Sequence, residues 1–189
     1  MKKILLSLMI AMAVVALLVS CSSEAKTYKV GDTGPAGGII FYVNPNAAED
    51  GWTYLEAAPT NAGSDANAVF EWGPTGSTGA TGTAIGTGKS NTRALVALSG
   101  SYPAAEECDS YSKNGYDDWF LPSKDEMAEM AKYQIEIGIW VENSGQKRYW
   151  SSSEYNSADY AYYYNFGNSL FSNYISRTDT LPVRPIRSF

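Results

Sequence analysis

The chain opens with a dense apolar run from Ile4 to Val19, placed between Lys2-Lys3 and Cys21. A basic start, an apolar stretch and the ending Leu18-Val19-Ser20-Cys21 have the layout of a secretory signal, which is set aside from the fold. The 17 residues between Lys3 and Cys21 are short for a membrane span. Beyond them the apolar runs become brief. Gly-rich turn signals at 31–38 precede Ile39-Ile40-Phe41-Tyr42-Val43, a β-branched and aromatic strand. Asn44-Pro45-Asn46 turns the chain, and Trp52 to Ala57 reads as the hairpin partner. Residues 60–90 are rich in Gly, Thr, Asn and Ser and read as loop, with Phe70 and Trp72 as core anchors.

Helical patterns follow at Asn91 to Leu98 and Ala104 to Tyr111, with Pro103 at the break or first turn. Ser123-Lys124-Asp125-Glu126 is a capping box. It predicts a helix through about Ile135, with Met127, Met130, Ala131 and Gln134 on one stripe. After Trp140 the pattern turns to strands: Tyr149–Ser153, Ala161–Phe166, Asn173–Arg177 and Val183–Ile186. Strands, then helices, then strands predict an α+β domain with an antiparallel sheet. Alternation along Ala161–Phe166 places Tyr162, Tyr164 and Phe166 toward the core and Ala161, Tyr163 and Asn165 outside.

Charge and rare residues narrow the chemistry. Without residues 1–20 the chain has 169 residues, enough for one domain, with 12 basic and 20 acidic residues and a net charge of −8. Nucleic acid and anionic headgroups are poor partners for such a surface. There is no histidine, which removes the commonest general base and metal ligand. Of the two cysteines, Cys21 sits at the cleavage site, and Cys108 reads as a small buried hydrophobe. No cofactor, metal site or catalytic residue is expected.

Several partial motifs fail on spacing. Gly88-Lys89-Ser90 resembles the end of a P-loop, but position 83 is Thr where the motif needs Gly. Gly73, Gly76, Gly79 and Gly82 form three triplets with one proline, too few for a collagen helix. Asn114, Asp117, Asp118 and Glu126 offer oxygens to a cation without the spacing of an EF-hand.

The informative stretch is Tyr149 to Ser176. Of its 28 residues, 7 are Tyr, 7 Ser, 4 Asn and 1 Gly, and none is Lys or Arg. Tyrosine gives large, stiff contact area at low entropy cost, and Ser, Asn and Gly give adaptable hydrogen bonds, the composition of an antibody-like binding surface. Residues 155–176 also lack Lys, Glu, Gln, Met and Trp. Every residue type present there can be reached by replacing adenines in an AAC codon, a pattern that adenine-directed mutagenesis produces.

Asn114-Gly115-Tyr116-Asp117-Asp118-Trp119-Phe120-Leu121-Pro122-Ser123, Tyr149-Trp150-Ser151-Ser152-Ser153 and Val183-Arg184-Pro185-Ile186-Arg187 follow one another along the chain. Together they resemble the Lcl C-terminal domain family, over residues 31–189. The resemblance implies a C-type-lectin-like fold of the formylglycine-generating-enzyme type, with an antiparallel sheet, two main helices and paired first and last strands. It also implies framework roles for Asp118, Trp119, Leu121, Pro122, Tyr149, Trp150, Arg184 and Arg187, with Trp119 and Trp150 in the core and the arginines on buried acceptors. The chain is similar as well to the variable surface lipoproteins of diversity-generating retroelements. The cysteines that serve catalysis in formylglycine-generating enzymes have no counterpart here. The calcium signatures of sugar-binding lectins are absent too.

Three regions are therefore expected: a lipoprotein signal at 1–20, a lipidated tether at 21–30 and a C-type-lectin-like ligand-binding domain at 31–189. The Leu18–Cys21 segment resembles a lipobox, which implies a lipid anchor on Cys21, and Ser22 implies the outer membrane, with display at the cell surface. The expected ligand is a protein or glycan on another cell or host. The expected contacts are Tyr155, Asn156, Asp159, Tyr160, Tyr163, Asn165, Asn168, Phe171, Asn173 and Tyr174. Two rival readings are an adhesin of fixed specificity and a structural envelope lipoprotein, the latter requiring buried tyrosines. An unrecognised hydrolase or oxidase is a third.

Overall fold

The computed structural model describes residues 26–65, 67–139, 147–167 and 171–189. Cys21, the signal segment and Asn168 lie outside the described residues. The strands are β1 (Ile39–Val43), β2 (Tyr54–Ala57), β3 (Phe70–Glu71), β4 (Lys147–Glu154), β5 (Tyr160–Phe166), β6 (Phe171–Ser176), β7 (Thr180–Leu181) and β8 (Ile186–Ser188). The helices are α1 (Ala47–Asp50), α2 (Gly88–Val96), α3 (Pro103–Asp109) and α4 (Lys124–Ala131). Among the described residues no helix is long and apolar enough to cross a membrane.

The architecture is α+β, and every strand pairing is antiparallel. Among the described residues three small sheets have the orders β1-β2-β8, β3-β7 and β4-β5-β6. The terminal strand β8 pairs with β2, and β1 lies on the other side of β2. The expected pairing of first and last strands is thus corrected to a shared partner. Among the described residues, three helices of seven to nine residues match the three helical patterns of the sequence, one more than the two main helices the resemblance implies. The capping box forms as the sequence predicts, with the Ser123 Oγ accepting from the Glu126 N–H and Glu126 Oε2 accepting from the Ser123 N–H at 2.7 Å. α4 ends at Ala131 rather than near Ile135, because the chain passes into turns through Gly138. The last predicted strand, Val183–Ile186, is corrected: Val183, Arg184 and Pro185 lie between β7 and β8, where two prolines lack ladder N–H groups, and only Ile186 enters β8.

Two large apolar clusters lie on either side of the β4-β5-β6 sheet. One gathers Trp72, Leu95, Cys108, Leu121, Trp150 and Tyr163. The other gathers Phe41, Leu55, Met127, Met130, Tyr164, Phe166 and Ile186. Cys108 is fully buried, and burial, with Glu107 and Asp109 beside it, raises its thiol well above the usual value. Trp119 packs in a third, smaller cluster with Ala36 and Ala58.

Arg187 ties the ends of the domain together. Its Nε and Nη2 donate to the two oxygens of Asp118 at 2.7 and 3.0 Å, and its Nη1 donates to Glu56 at 3.3 Å. Glu56 is fully buried, and its Oε1 also accepts from the backbone of Gly38 at 2.8 Å and Ala36 at 3.1 Å. The guanidinium lies 4.2 Å from the Tyr116 ring centroid and 4.7 Å from that of Phe189. A Cβ on Gly38 would sit 2.0 Å from the Ala57 carbonyl, so the 34–38 turn needs glycine to bring its N–H groups to Glu56.

Glu126 plays the matching role on the helical side. Its Oε1 accepts from the Gly86 N–H at 2.8 Å. A Cβ on Gly88 would sit 2.2 Å from its Oε2. The residue that looked like the end of a P-loop is therefore a glycine because a carboxyl group occupies the space beside it. Burial pushes the Glu126 pKa up to about 7, against the N–H bonds that favour its charged form.

Two outcomes are expected. Arg187→Met should lower stability by about 4 kcal/mol in urea unfolding, because the buried Glu56 loses its cation. The folded state holds the Glu126 proton more tightly than the unfolded chain. Its stabilising contribution is therefore full below the ordinary value of 4.5 and is lost as pH rises through about 7. Unfolding measured across that window should show wild-type stability falling relative to Glu126→Gln, by on the order of 3 kcal/mol at the alkaline end.

Candidate ligand-binding surface

The Tyr-Trp-Ser-Ser-Ser motif forms a buried joint. The β4-β5 register slips between Trp150 and Glu154, so Ser151, Ser152 and Ser153 lie in a bulge. All three are fully buried. The Ser151 Oγ donates to the Tyr162 carbonyl at 2.9 Å, and the Ser153 Oγ donates to the Gly82 carbonyl at 2.7 Å. The Ser152 Oγ accepts from Asn91 at 3.3 Å, and the Trp72 indole donates to the Ser151 carbonyl at 2.8 Å. These serines join the Gly-rich loop, α2 and the sheet. They are not adaptable contacts.

Just beyond the bulge a second buried ion pair supports the end of the sheet. Arg177 Nη2 lies 3.3 Å from Glu154 Oε1. The Arg177 Nε donates to the Tyr160 carbonyl at 3.3 Å, and the guanidinium sits 4.5 Å from the Trp72 ring. Glu154 also accepts from the Thr78 N–H at 2.8 Å and from the Thr78 hydroxyl. Backbone bonds from Tyr155 to Tyr160, Tyr160 to Ser157 and Arg177 to Asp159 close the 155–160 turn.

On this support stand four tyrosines. Tyr155 and Tyr174 stack with centroids 3.8 Å apart and planes at 18°. Tyr162 meets Tyr155 edge-on at 5.2 Å, and Tyr160 meets Tyr174 edge-on at 5.6 Å. The register explains the grouping, since Tyr162 pairs with Tyr174 and Tyr160 with Ser176 across β5 and β6. Tyr160 is 38% exposed and Tyr174 44%, while Tyr155 and Tyr162 are half-buried. A hydrogen bond with the Tyr174 hydroxyl holds the Tyr155 phenol above its usual pKa. The Lys124 ammonium, paired with Asp125, lies 6.0 Å from the Tyr162 ring.

The ten expected contacts divide. Asn156, Asp159, Tyr160, Asn173 and Tyr174 are exposed, and Tyr155 is half-buried beside them. Tyr163 and Asn165 are buried, at 8% and 0% exposure, and cannot present a surface. The reason is that β5 is the central strand of three with an apolar cluster on each face, so alternation does not separate core from solvent. For the same reason Ala161 is buried on the side expected to face out. Tyr162, assigned to the core by alternation, joins the tyrosine cluster instead. Asn168 lies outside the described residues. Phe171 begins β6.

The oxygens considered for a cation are dispersed. Asp118 binds Arg187, Glu126 is buried in its cap, and Asn114 donates to the Ala36 carbonyl at 3.0 Å. No family model matches the chain, and no curated protein matches it significantly.

The two classes of tyrosine should respond differently to truncation. Tyr163→Ala should cost about 3 kcal/mol of stability, as a large buried ring does. Tyr174→Ala, which loses one exposed stack, should cost about 1 kcal/mol. Paired urea titrations of the two variants would check this.

Proposed function

We propose that the protein is a lipid-anchored surface receptor that binds a protein or glycan through the tyrosine surface at the end of the β4-β5-β6 sheet. The observation that carries this reading is the stacked and edge-packed group of Tyr155, Tyr160, Tyr162 and Tyr174, left partly open to solvent on a rigid, ion-paired base. Aromatic rings whose positions are already set lose little entropy on binding. Asn156, Asp159 and Asn173 surround them with hydrogen-bonding groups.

In this reading residues 1–20 direct export, Cys21 carries the lipid, and the domain faces outward from the outer membrane. The fold is the C-type-lectin-like one that the three motifs imply, and the protein is a binder rather than an enzyme. Diversification by a retroelement fits the adenine-accessible composition of 155–176. Its useful positions would be 155–160, 162 and 172–176, because changes at Tyr163 and Asn165 strike the core. A structural envelope role gains support from buried Tyr149, Tyr163 and Tyr164, but leaves Tyr160 and Tyr174 without a purpose.

The test is binding of the purified protein to arrays of glycans and extracellular-matrix proteins, beside a Tyr155→Ala/Tyr174→Ala variant. A hit with loss of about 2 kcal/mol or more in the variant, roughly 30-fold in affinity, is expected. Hits that bind the variant as well as the wild type would move the site elsewhere.

A further inference from the structure

Three arginines of the C-terminal region are buried, and two of them face carboxylates. Arg177 meets Glu154, and Arg187 meets Asp118 and Glu56. The third, Arg184, is 4% exposed and has no carboxylate within ion-pair distance among the described residues. Its Nη1 donates to the carbonyls of Ala58 at 2.8 Å and Ile137 at 3.5 Å. Its Nε is buried without a hydrogen-bond partner. A buried charge held by carbonyl dipoles and the neutral Tyr149 phenol, with no carboxylate among the described residues, is costly, and an orphaned N–H adds to that cost. Burial accordingly lowers the Arg184 pKa from its ordinary value.

Arg184 borders a cavity of about 450 Å³, lined also by Pro59, Asn61, Asp65, Lys147 and Tyr149. A second hollow of about 360 Å³ shares Asn61, Lys147 and Tyr149 and adds Arg148. Asn61 Oδ1 is a buried acceptor that no donor reaches. On a chain of net charge −6, this groove collects three cations against one carboxylate among the described residues, that of Asp65. It therefore contains one unmet donor on a buried cation, one unmet acceptor, and two further cations. The volume suits a ligand the size of an amino acid or a sugar.

We propose that this groove binds a small carboxylate whose adjacent carbon carries a hydrogen-bond donor, with the carboxylate on Arg184 and Lys147 and the donor on Asn61 Oδ1. Guanidinium and ammonium groups in a partly dry site make strong charge-assisted bonds to such an anion. A hydroxy acid and an acylated amino acid both satisfy the pattern, through O–H and N–H respectively. The groove lies at the start of β4 and the tyrosines just past its end, about 20 Å apart along the strand. This proposal is thus independent of the tyrosine surface.

The purified full-length protein is titrated with lactate, N-acetylglycine, propionate and sulfate, following amide shifts by NMR. Saturable binding of lactate or N-acetylglycine is expected, with Kd on the order of 1 mM. That should be at least about ten-fold tighter than for propionate, which lacks the donor, or for sulfate. Whichever of the two binds tighter identifies the hydroxy-acid or the acylamino-acid source. Because Arg184 is buried, Asn61→Asp and Lys147→Met carry the test, with folding checked by thermal melting. Each should weaken binding at least about ten-fold, and Tyr174→Ala should leave it unchanged. The proposal is overturned if neither carboxylate saturates, if propionate or sulfate binds as tightly, or if the folded Asn61→Asp variant binds like the wild type.

Discussion

A single guanidinium closes this domain. Arg187 stands on the last strand, yet it reaches the Asp118 carboxylate in the turn before α4 and the Glu56 carboxylate on β2. Glu56 in turn gathers the N–H groups of the 34–38 turn. The two ends of the chain and its middle are thus held by one set of charge-assisted bonds. The net worth of a buried pair against an apolar replacement is small, but removing one partner strands a charge, so the members of the network depend on one another. The glycines at 34 and 38 are part of the same arrangement, since a Cβ at 34 would strike the Glu56 carboxylate and one at 38 the Ala57 carbonyl beside it.

The far end of the molecule repeats this logic. Glu154 and Arg177 pair beneath the 155–160 turn, and the three bulged serines bond the sheet to the Gly-rich loop and to α2. Long loops become rigid when their polar groups are satisfied by buried partners. The tyrosine surface therefore stands on a preorganised base, which would lower the entropy cost of the binding proposed for it. Among the described residues Arg184 departs from this economy of paired charge, and that departure is what sets the groove at the start of β4 apart.

Both candidate surfaces use the same strand. β4 runs from Lys147 and Tyr149, which line the groove, to Glu154, which supports the tyrosines. A strand buried along most of its length and anchored on both sides is a stiff ruler between the two candidate surfaces. A small acid at one end and a larger partner at the other could bind without competing for residues.

Local chemistry made much of the chain legible in one dimension. The Ile39–Val43 strand, the Ser123–Glu126 capping box, Pro103 at the first turn of α3 and the burial of Cys108 all follow from residue type and near-neighbour spacing. So does the α+β order, because it depends only on where periods change. What the sequence could not decide was which side of β5 faces water. Alternation separates core from solvent only in a sheet covered on one face, and β5 is covered on both. Alternation alone therefore points Tyr163 and Asn165 outward and Tyr162 inward, the reverse of what the fold does. Likewise nothing near Arg184 in sequence shows that it has no carboxylate among the described residues, or near Arg187 that it has two. Those pairings join residues separated by 69 and 131 positions. The sequence by itself determined the main helices, the longer strands and the capping box of α4, because those forces act within a few residues. The tertiary structure decided which polar groups are paired, which tyrosines are open and which cation is left over, because burial and charge compensation exist only once distant segments meet.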